Sequence, residues 1–585
     1  MLSPRVHVKE WQTVLLITAL AAALRFYNLS SLPLGMHGDE AVPGLEARRI
    51  LHQGWIGPYS PLALGQPSGP LYFVAIAVWF FGNTIFAVRL VPALMGTLAV
   101  PALYLLLRRN LDRPTTLLGA LLLAVMSWHL HFSRVGFPLA MWPLWVTLSA
   151  YLLMEAVRRE DWRWWAVAGS GAGLGIYVYN AHHLFLTISG FFVCLHLGRA
   201  RTVPWNRRLA WLAAFIAAVA LLALPMILYA ANPANGYFHH FQQFSIFTQP
   251  DWIRLDSIID KIAFLAGRYI KYWDRLCWHP EVDFSDATGV TPLVPPLLLL
   301  LSGVGMGSGL ILRRGPLIWL GLLMVLLMPL GSVVTVDGLA RRTFALAPFL
   351  AMFAALGIVE ILNVARTWDK KKPSQKRIWR LALRIPGTKS RGVATTELAF
   401  TASTRARKPR IIGRGTTLHR VFKGCAWFYA AAAVSGGVCG LVALQNLNDY
   451  FHRFAKSNAH LAVFSPELVA TSQFMSGLST SHHVYFYSTR WSGNYETVQF
   501  LAPQVSVEDC TKLYEIDPHP KFKMDLSQGF PVFVLMGDYI WRLGEVQRLY
   551  PGGKTVIGST APVPPFVAYL PPTPQPPAGL PPMPP

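Results

Sequence analysis

The chain has 585 residues, 53% of them hydrophobic and only 14% charged, where a soluble protein carries nearer a quarter. With a mean hydropathy of +0.38, it reads as a polytopic membrane protein rather than a string of soluble domains. The formal net charge of +23 does not point to nucleic acid: 16 Lys/Arg against 2 Asp/Glu fall between Arg366 and Arg420, a net of +14 in one segment, and no nucleic-acid-binding motif accompanies them.

In chain order, Arg5 and Lys9 precede the apolar run WQTVLLITALAAAL. This is read as an uncleaved first membrane helix at 10–28 rather than a signal peptide, because many spans follow. Runs near the 20 apolar residues that a bilayer requires recur at 88–107, 115–132, 138–157, 164–181, 183–199, 208–231, 290–312, 316–336, 343–365 and 422–445. With a cytoplasmic N-terminus, Arg108-Arg109, Arg158-Arg159, the 199–208 cluster, Arg313-Arg314 and the basic loop 366–421 all fall on the cytoplasmic face, as the positive-inside rule requires. LYFVAIAVWFFG (71–82) is too short to span. It is expected to lie along, or re-enter, the outer surface.

Three outer regions follow, at 29–87, at 232–289 and from 446 onward. The last carries nine basic and ten acidic residues. It alternates strand-like VYFY and PVFVLMG with helix-like ETVQFLA and YIWRLGEVQRLY, ending in a proline-rich tail at 562–585. The expected architecture is an all-α polytopic membrane protein with about eleven transmembrane helices and a small C-terminal extracytoplasmic α/β domain. Its parts are a transmembrane module at 1–365, the basic loop at 366–421, a last span at 422–445 and the α/β domain at 446–561. The five cysteines are scattered without a CxxC, which argues against a zinc cluster or a disulfide framework.

The chemistry concentrates on the outer side. GMHGDEA (35–41) places Asp39 and Glu40 just beyond the first span, with His37 beside them and glycines that permit sharp backbone geometry. Such a carboxylate is a solvated loop charge, a general base for a hydroxyl or a metal ligand. Arg134 in HLHFSRVGF and Arg341-Arg342 in VTVDGLARRTF run against the positive-inside trend. They suit a phosphate, held bidentately, or snorkel to headgroups. His129, His131, His182, His183 and His279 lie near the same face, each alone more simply structural than a ligand.

LRFYNLSSLPLGMHGDEA, GQPSGPLYFVAIAVWFFGNTIFAVRLVPALMGTLAVPALYLL, HFSRVGF, GLGIYVYNAHHLFL and TVDGLARRTFALAPFLAMFAALG, in that order, resemble the polyprenyl-phosphate-sugar-dependent membrane glycosyltransferases: the protein O-mannosyltransferase and aminoarabinose-transferase superfamily, of the GT-C fold. The likeness covers about residues 10 to 365. It implies Asp39 as catalytic base with Glu40 as its partner, and Arg341 and Arg342, supported by Arg134, on the phosphate of the donor, with Tyr179 and His279 also on the donor side. His37 and Glu40 are the candidate ligands of a divalent metal, the one cofactor in view. The implied partners are a polyprenyl-phosphate sugar, an acceptor that is a protein, glycan or lipid, and membrane lipids, with no nucleic acid. The implied location is the inner (plasma) membrane with the active site outside the cytoplasm. The competing readings are a transporter or flippase of lipid-linked sugars, which predicts charges within the spans and an internal repeat, and a non-catalytic assembly protein acting through the C-terminal region.

Overall fold

A computed structural model describes residues 8–62, 65–281, 285–313, 315–336, 339–370, 433–434, 436–558, 563 and 565–572. The basic loop past 370, the first part of the 422–445 span and the chain past 572 lie outside the described residues; residues 565–572, expected as part of the proline-rich tail, are described and carry a strand of the C-terminal sheet, which therefore runs past 561.

The N-terminal two thirds is helical. It comprises α1 (Val8–Phe26), α2 (Gly38–Gln53), α3 (Gly69–Phe81), α4 (Ile85–Arg108), α5 (Arg113–Val125), α6 (Ser127–Phe132), α7 (Met141–Arg159), α8 (Trp162–Leu174), α9 (His182–Arg199) and α10 (Trp205–Ala231). There follow α11 (His239–Phe244), α12 (Pro250–Ile253), α13 (Ile258–Trp278), α14 (Pro296–Ser308), α15 (Pro316–Leu327), α16 (Leu330–Val333), α17 (Leu339–Arg342) and α18 (Ala347–Lys370). Among the described residues, the helical segments Ile85–Arg108, Pro138–Arg159, Trp205–Ala231, Pro316–Val333 and Phe344–Ala365 are long and apolar enough to cross a membrane.

Several of the runs read as single spans are interrupted. The run at 115–132 breaks at Met126, whose backbone is extended, and restarts as α6. The run at 164–181 tightens into a 3₁₀ turn, Gly175–Tyr177. Short 71–82 is the regular helix α3, packed on α2 and α4 by Leu71, Val74 and Val78, with Phe73, Ile76, Trp79 and Phe80 facing outward.

The outer region read as a loop at 232–289 contains the 21-residue helix α13. Its apolar positions recur at helical spacing, but Ile258, Ile259, Ile262 and Ile270 stay exposed. Periodicity alone had not separated this amphipathic element from a charged loop.

The chain past 436 continues as helix α19 (436–448), a π-helical turn (Asp449–Phe454), α20 (Asn458–Phe464) and α21 (Pro466–Ser476). Two short strands near the N-terminal module, β1 (Tyr59–Ser60) and β2 (Gln66–Pro67), pair antiparallel. The C-terminal strands are β3 (His482–Tyr487), β4 (Ser506–Asp509), β5 (Phe530–Met536), β6 (Lys554–Gly558) and β7 (Phe566–Leu570). They form one sheet in the order β4-β3-β5-β7-β6, parallel across β4-β3-β5 and antiparallel across β5-β7-β6. Val484, Phe486, Val532 and Val534 turn to one face with Leu468 and Met475 of α21, while Tyr485, Tyr487, Phe533 and Leu535 turn to the other. This is the period-two alternation of strands buried on both sides. α22 (Glu496–Leu501) crosses from this sheet to lie against α2, and α23 (Leu543–Leu549) packs beside β7.

Candidate active site

α2 begins where two buried arginines pin the segment leading into it. Arg89 of α4 donates to the carbonyls of Leu29, Pro33 and Gly35 at 3.2, 2.8 and 2.7 Å. Arg134 donates to those of Leu24, Arg25, Tyr27 and Leu32 at 2.7–3.0 Å. A guanidinium has five N–H donors in a rigid fork. Two such forks gather seven backbone acceptors, which fixes the direction in which the chain enters α2. The His37 ring then caps the helix, its Nδ1 accepting the Asp39 N–H at 3.0 Å.

The two acids of GMHGDEA therefore part company. Adjacent residues on a helix point about 100° apart. Asp39 faces outward with its side chain half exposed, while Glu40 is wholly buried against Arg89, whose Nη2 and Nε lie 2.9 and 3.2 Å from Glu40 Oε2.

Asp39 opens onto a cavity of about 800 Å³. Opposite it Arg341 reaches over from α17. Its Nη1 is 3.1 Å from Asp39 Oδ2, its Nη2 donates to Ser285 Oγ at 2.7 Å, and its Nε bonds the Asp286 carboxylate. The guanidinium also lies 4.3 Å over the Phe137 ring. Arg342 lines the same cavity, 5.2 Å over the Phe244 ring. Tyr179 forms another part of the wall, packed on Trp142. Toward the β1–β2 end the wall becomes aromatic and amide-bearing, with Tyr59, Tyr237, His183, Asn180 and Gln66. The Tyr237 hydroxyl and His183 Nε2 are 3.2 Å apart there.

Of the residues expected from the sequence, Asp39, Arg341, Arg342 and Tyr179 meet at this cavity. Four expectations are corrected. Arg134 is spent on backbone carbonyls and packs against Tyr450 and Phe451 rather than facing a phosphate. Glu40 neutralises Arg89 and does not face the cavity beside Asp39. His279 is exposed beside Asp274 at 3.3 Å and does not line the cavity. The His37–Glu40 metal pair does not form, since His37 Nδ1 is occupied by the Asp39 amide and Glu40 by Arg89. Among the described residues no group of three or more His, Cys, Asp or Glu side chains is placed to hold a metal ion.

Asp286 and Ser285 are functional candidates that were missed. The segment WDRLCWHPEVDFSD lies within the 232–289 region, but only the fold brings its last acid onto Arg341. The remaining signal was an acid at the end of an outer loop, which is common and non-specific.

Residues 65–229 match the family model described as dolichyl-phosphate-mannose-protein mannosyltransferase. Over 352 residues the chain is 30% identical to undecaprenyl phosphate-alpha-4-amino-4-deoxy-L-arabinose arabinosyl transferase 2 of Pseudomonas fluorescens, covering 52% of this chain and 57% of that one. The chain resembles the polyprenyl-phosphate-sugar transferases. Transferase 1 of another Pseudomonas fluorescens strain is 28% identical over 222 residues, covering 35% of this chain and 37% of that one. The chain thus spans little more than half the length of the first of these curated relatives. ArnT from Cupriavidus metallidurans in the apo state superposes with a TM-score of 0.49 at 14% identity, over 95% of this chain and 97% of that one. An apo oligosaccharyltransferase from Archaeoglobus fulgidus gives 0.47 at 14% identity, over 85% and 64%. The family match takes in Gln66, Tyr179, Asn180 and His183 of the cavity but not Tyr59, Tyr237, Asp39, Asp286 or Arg341, so the roles of Asp39, Asp286 and Arg341 rest on geometry.

Proposed function

We propose that the chain is a membrane glycosyltransferase that moves a sugar from a polyprenyl-phosphate carrier to an acceptor on the outer side of the membrane, with inversion at the anomeric carbon. The observation that carries this reading is Asp39 paired with Arg341 at the wall of one cavity that Arg342 also lines. A single displacement needs a base for the acceptor hydroxyl and a cation for the departing phosphate, on opposite sides of the reacting carbon. Asp39 takes the acceptor proton as the acceptor oxygen bonds to C1. The C1–O bond to phosphate breaks and its electron pair stays on the phosphate, which Arg341 and Arg342 neutralise. A phosphate leaves as a stable anion, so no acid is required.

The Asp39–Arg341 pair gives the reaction an order. While Arg341 holds Asp39, the carboxylate is engaged. A donor phosphate competes for the same guanidinium and frees Asp39 only when there is a leaving group to release. Asp286, nearly enclosed, keeps Arg341 at the site during that exchange.

The names of the relatives support a sugar carried on undecaprenyl or dolichyl phosphate. The pentose or hexose identity and the acceptor, whether protein, glycan or lipid, belong to experiment. Purified protein given a panel of radiolabelled polyprenyl-phosphate sugars is expected to transfer label from one of them. Asp39→Asn is expected to lower kcat by about 10²–10⁴-fold, the usual worth of a positioned base, with an unchanged gel-filtration profile. Wild-type turnover in that variant removes Asp39 as the base. Consumption of no donor by either form removes the transferase reading and turns attention to lipid flipping.

A further inference from the structure

We propose that Tyr495, at the N-terminus of α22, is a positioning residue for Asp39, so that the C-terminal α/β region completes the site that the helical module begins. The inference rests on the reading of Asp39 as base.

The C-terminal region grips α2 on both sides of Asp39. The Met36 N–H donates to the Phe464 carbonyl at 2.5 Å, and Thr497 Oγ1 donates to the Met36 carbonyl at 3.4 Å. Further along, Arg48 Nη1 donates to the Gln499 carbonyl at 3.0 Å, and the Phe500 ring lies where any side chain at Gly44 would stand. Between these contacts the Tyr495 ring covers Gly38. A Cβ on Gly38 would come 2.8 Å from the Tyr495 hydroxyl oxygen, so only glycine lets the ring approach this closely.

Gly38 is the first residue of α2, and its amide is one of the helix's unpaired donors. The Tyr495 hydroxyl stands against this residue, too close for any Cβ there, while the next amide, of Asp39, meets His37 Nδ1. The backbone before Asp39 is therefore covered by the C-terminal region and the amide of Asp39 is held by His37. Burial, then the Glu496 and Asp39 charges, raise the Tyr495 phenol above its ordinary value, so it stays a neutral hydroxyl at physiological pH.

Tyr495 is itself braced. Its ring packs on Trp491 at 5.3 Å, Trp491 Nε1 donates to Glu467 Oε1 at 2.9 Å, and Arg490 lies 4.6 Å over the Trp491 ring. The Asp509 carboxylate accepts from Ser492 Oγ and the Gly493 amide, each at 2.5 Å, which fixes the turn before Tyr495. A solvated surface tyrosine needs none of this. The arrangement suits a base whose position must hold within a fraction of an ångström.

The test uses the full-length protein in lipid nanodiscs and compares wild type, Tyr495→Phe and Arg48→Ala. Amide hydrogen exchange of a peptide covering 36–42 is expected to quicken about tenfold in Tyr495→Phe and to stay at the wild-type rate in Arg48→Ala. The Tyr495→Phe kcat is expected to fall about 10- to 100-fold with the donor KM unchanged, because Arg341 is untouched. Wild-type exchange and wild-type kcat in Tyr495→Phe overturn the proposal. Equal losses in Tyr495→Phe and Arg48→Ala overturn it too, by showing that any loosening of this face has the same effect. If wild type transfers no sugar, the reading of Asp39 as base fails by itself, and the exchange rates still decide whether Tyr495 holds the first turn of α2.

Discussion

Asp39 and Glu40 are neighbours in sequence and have unrelated tasks. Glu40 lies with Arg89 in a fully buried ion pair, and Arg89 in turn ties down the segment before α2. Removing one partner of such a pair strands the other charge, at a cost of about 3–5 kcal/mol. Glu40→Ala is therefore expected to behave as a folding variant, with a lower thermal midpoint and poor yield of monodisperse protein in detergent. Asp39→Asn should show neither. A well-folded but inactive Glu40→Ala protein would return Glu40 to the chemistry. The motif in the sequence identified an acidic pair at a membrane exit. It did not say which acid would face the cavity, because that depends on where Arg89, 49 residues away, approaches α2.

At the scale of elements, tight helix packing replaces the hydrophobic drive that lipid does not provide. α14 and α18 touch through Gly305 and Gly357, each set against a carbonyl of the other helix, Phe353 and Leu301 respectively. Ser302 Oγ donates across the same contact to the Leu350 carbonyl at 3.1 Å. Gly305→Val forces the helices apart and is expected to destabilise the protein by about 1–3 kcal/mol or more, read as a lowered thermal midpoint by intrinsic fluorescence. An unchanged midpoint would mean the two helices do not pack this closely. α18 leads directly from α17, which carries Arg341 and Arg342, so this packing also sets the height at which the arginines meet Asp39. α13 was illegible as a helix for a different reason. Its Lys, Arg and Asp residues break the apolar run that a span requires, while Arg268 donates to the Val333 and Thr335 carbonyls and anchors it beside α16.

For the whole molecule, the contacts of α22 with α2 require Asp39 and the C-terminal sheet to share one side of the membrane. At 1.5 Å per residue, the 13 residues of α3 reach about 20 Å, short of the roughly 30 Å hydrocarbon core. α3 is expected to remain on the Asp39 side. A single cysteine at Asn83, in an otherwise cysteine-free protein, should be labelled by a membrane-impermeant maleimide added from outside. Protection there, with labelling from the cytoplasmic face, would make α3 a crossing helix and invert every later span.

The sequence by itself determined that this is a membrane-embedded helical protein and that its basic residues gather in one segment, and it led to the expectation that an Asp and an Arg-Arg pair lie in outer segments. Each of these follows from local composition, which the bilayer and the charge rule convert directly into position. Only the tertiary structure decided that Arg341 stands between Asp39 and Asp286, that Arg134 and Arg89 organise backbone rather than phosphate, and that Tyr495 reaches the first turn of α2. These are contacts between residues 54 to more than 450 positions apart, and no periodicity records which distant side chain will arrive at a given carboxylate.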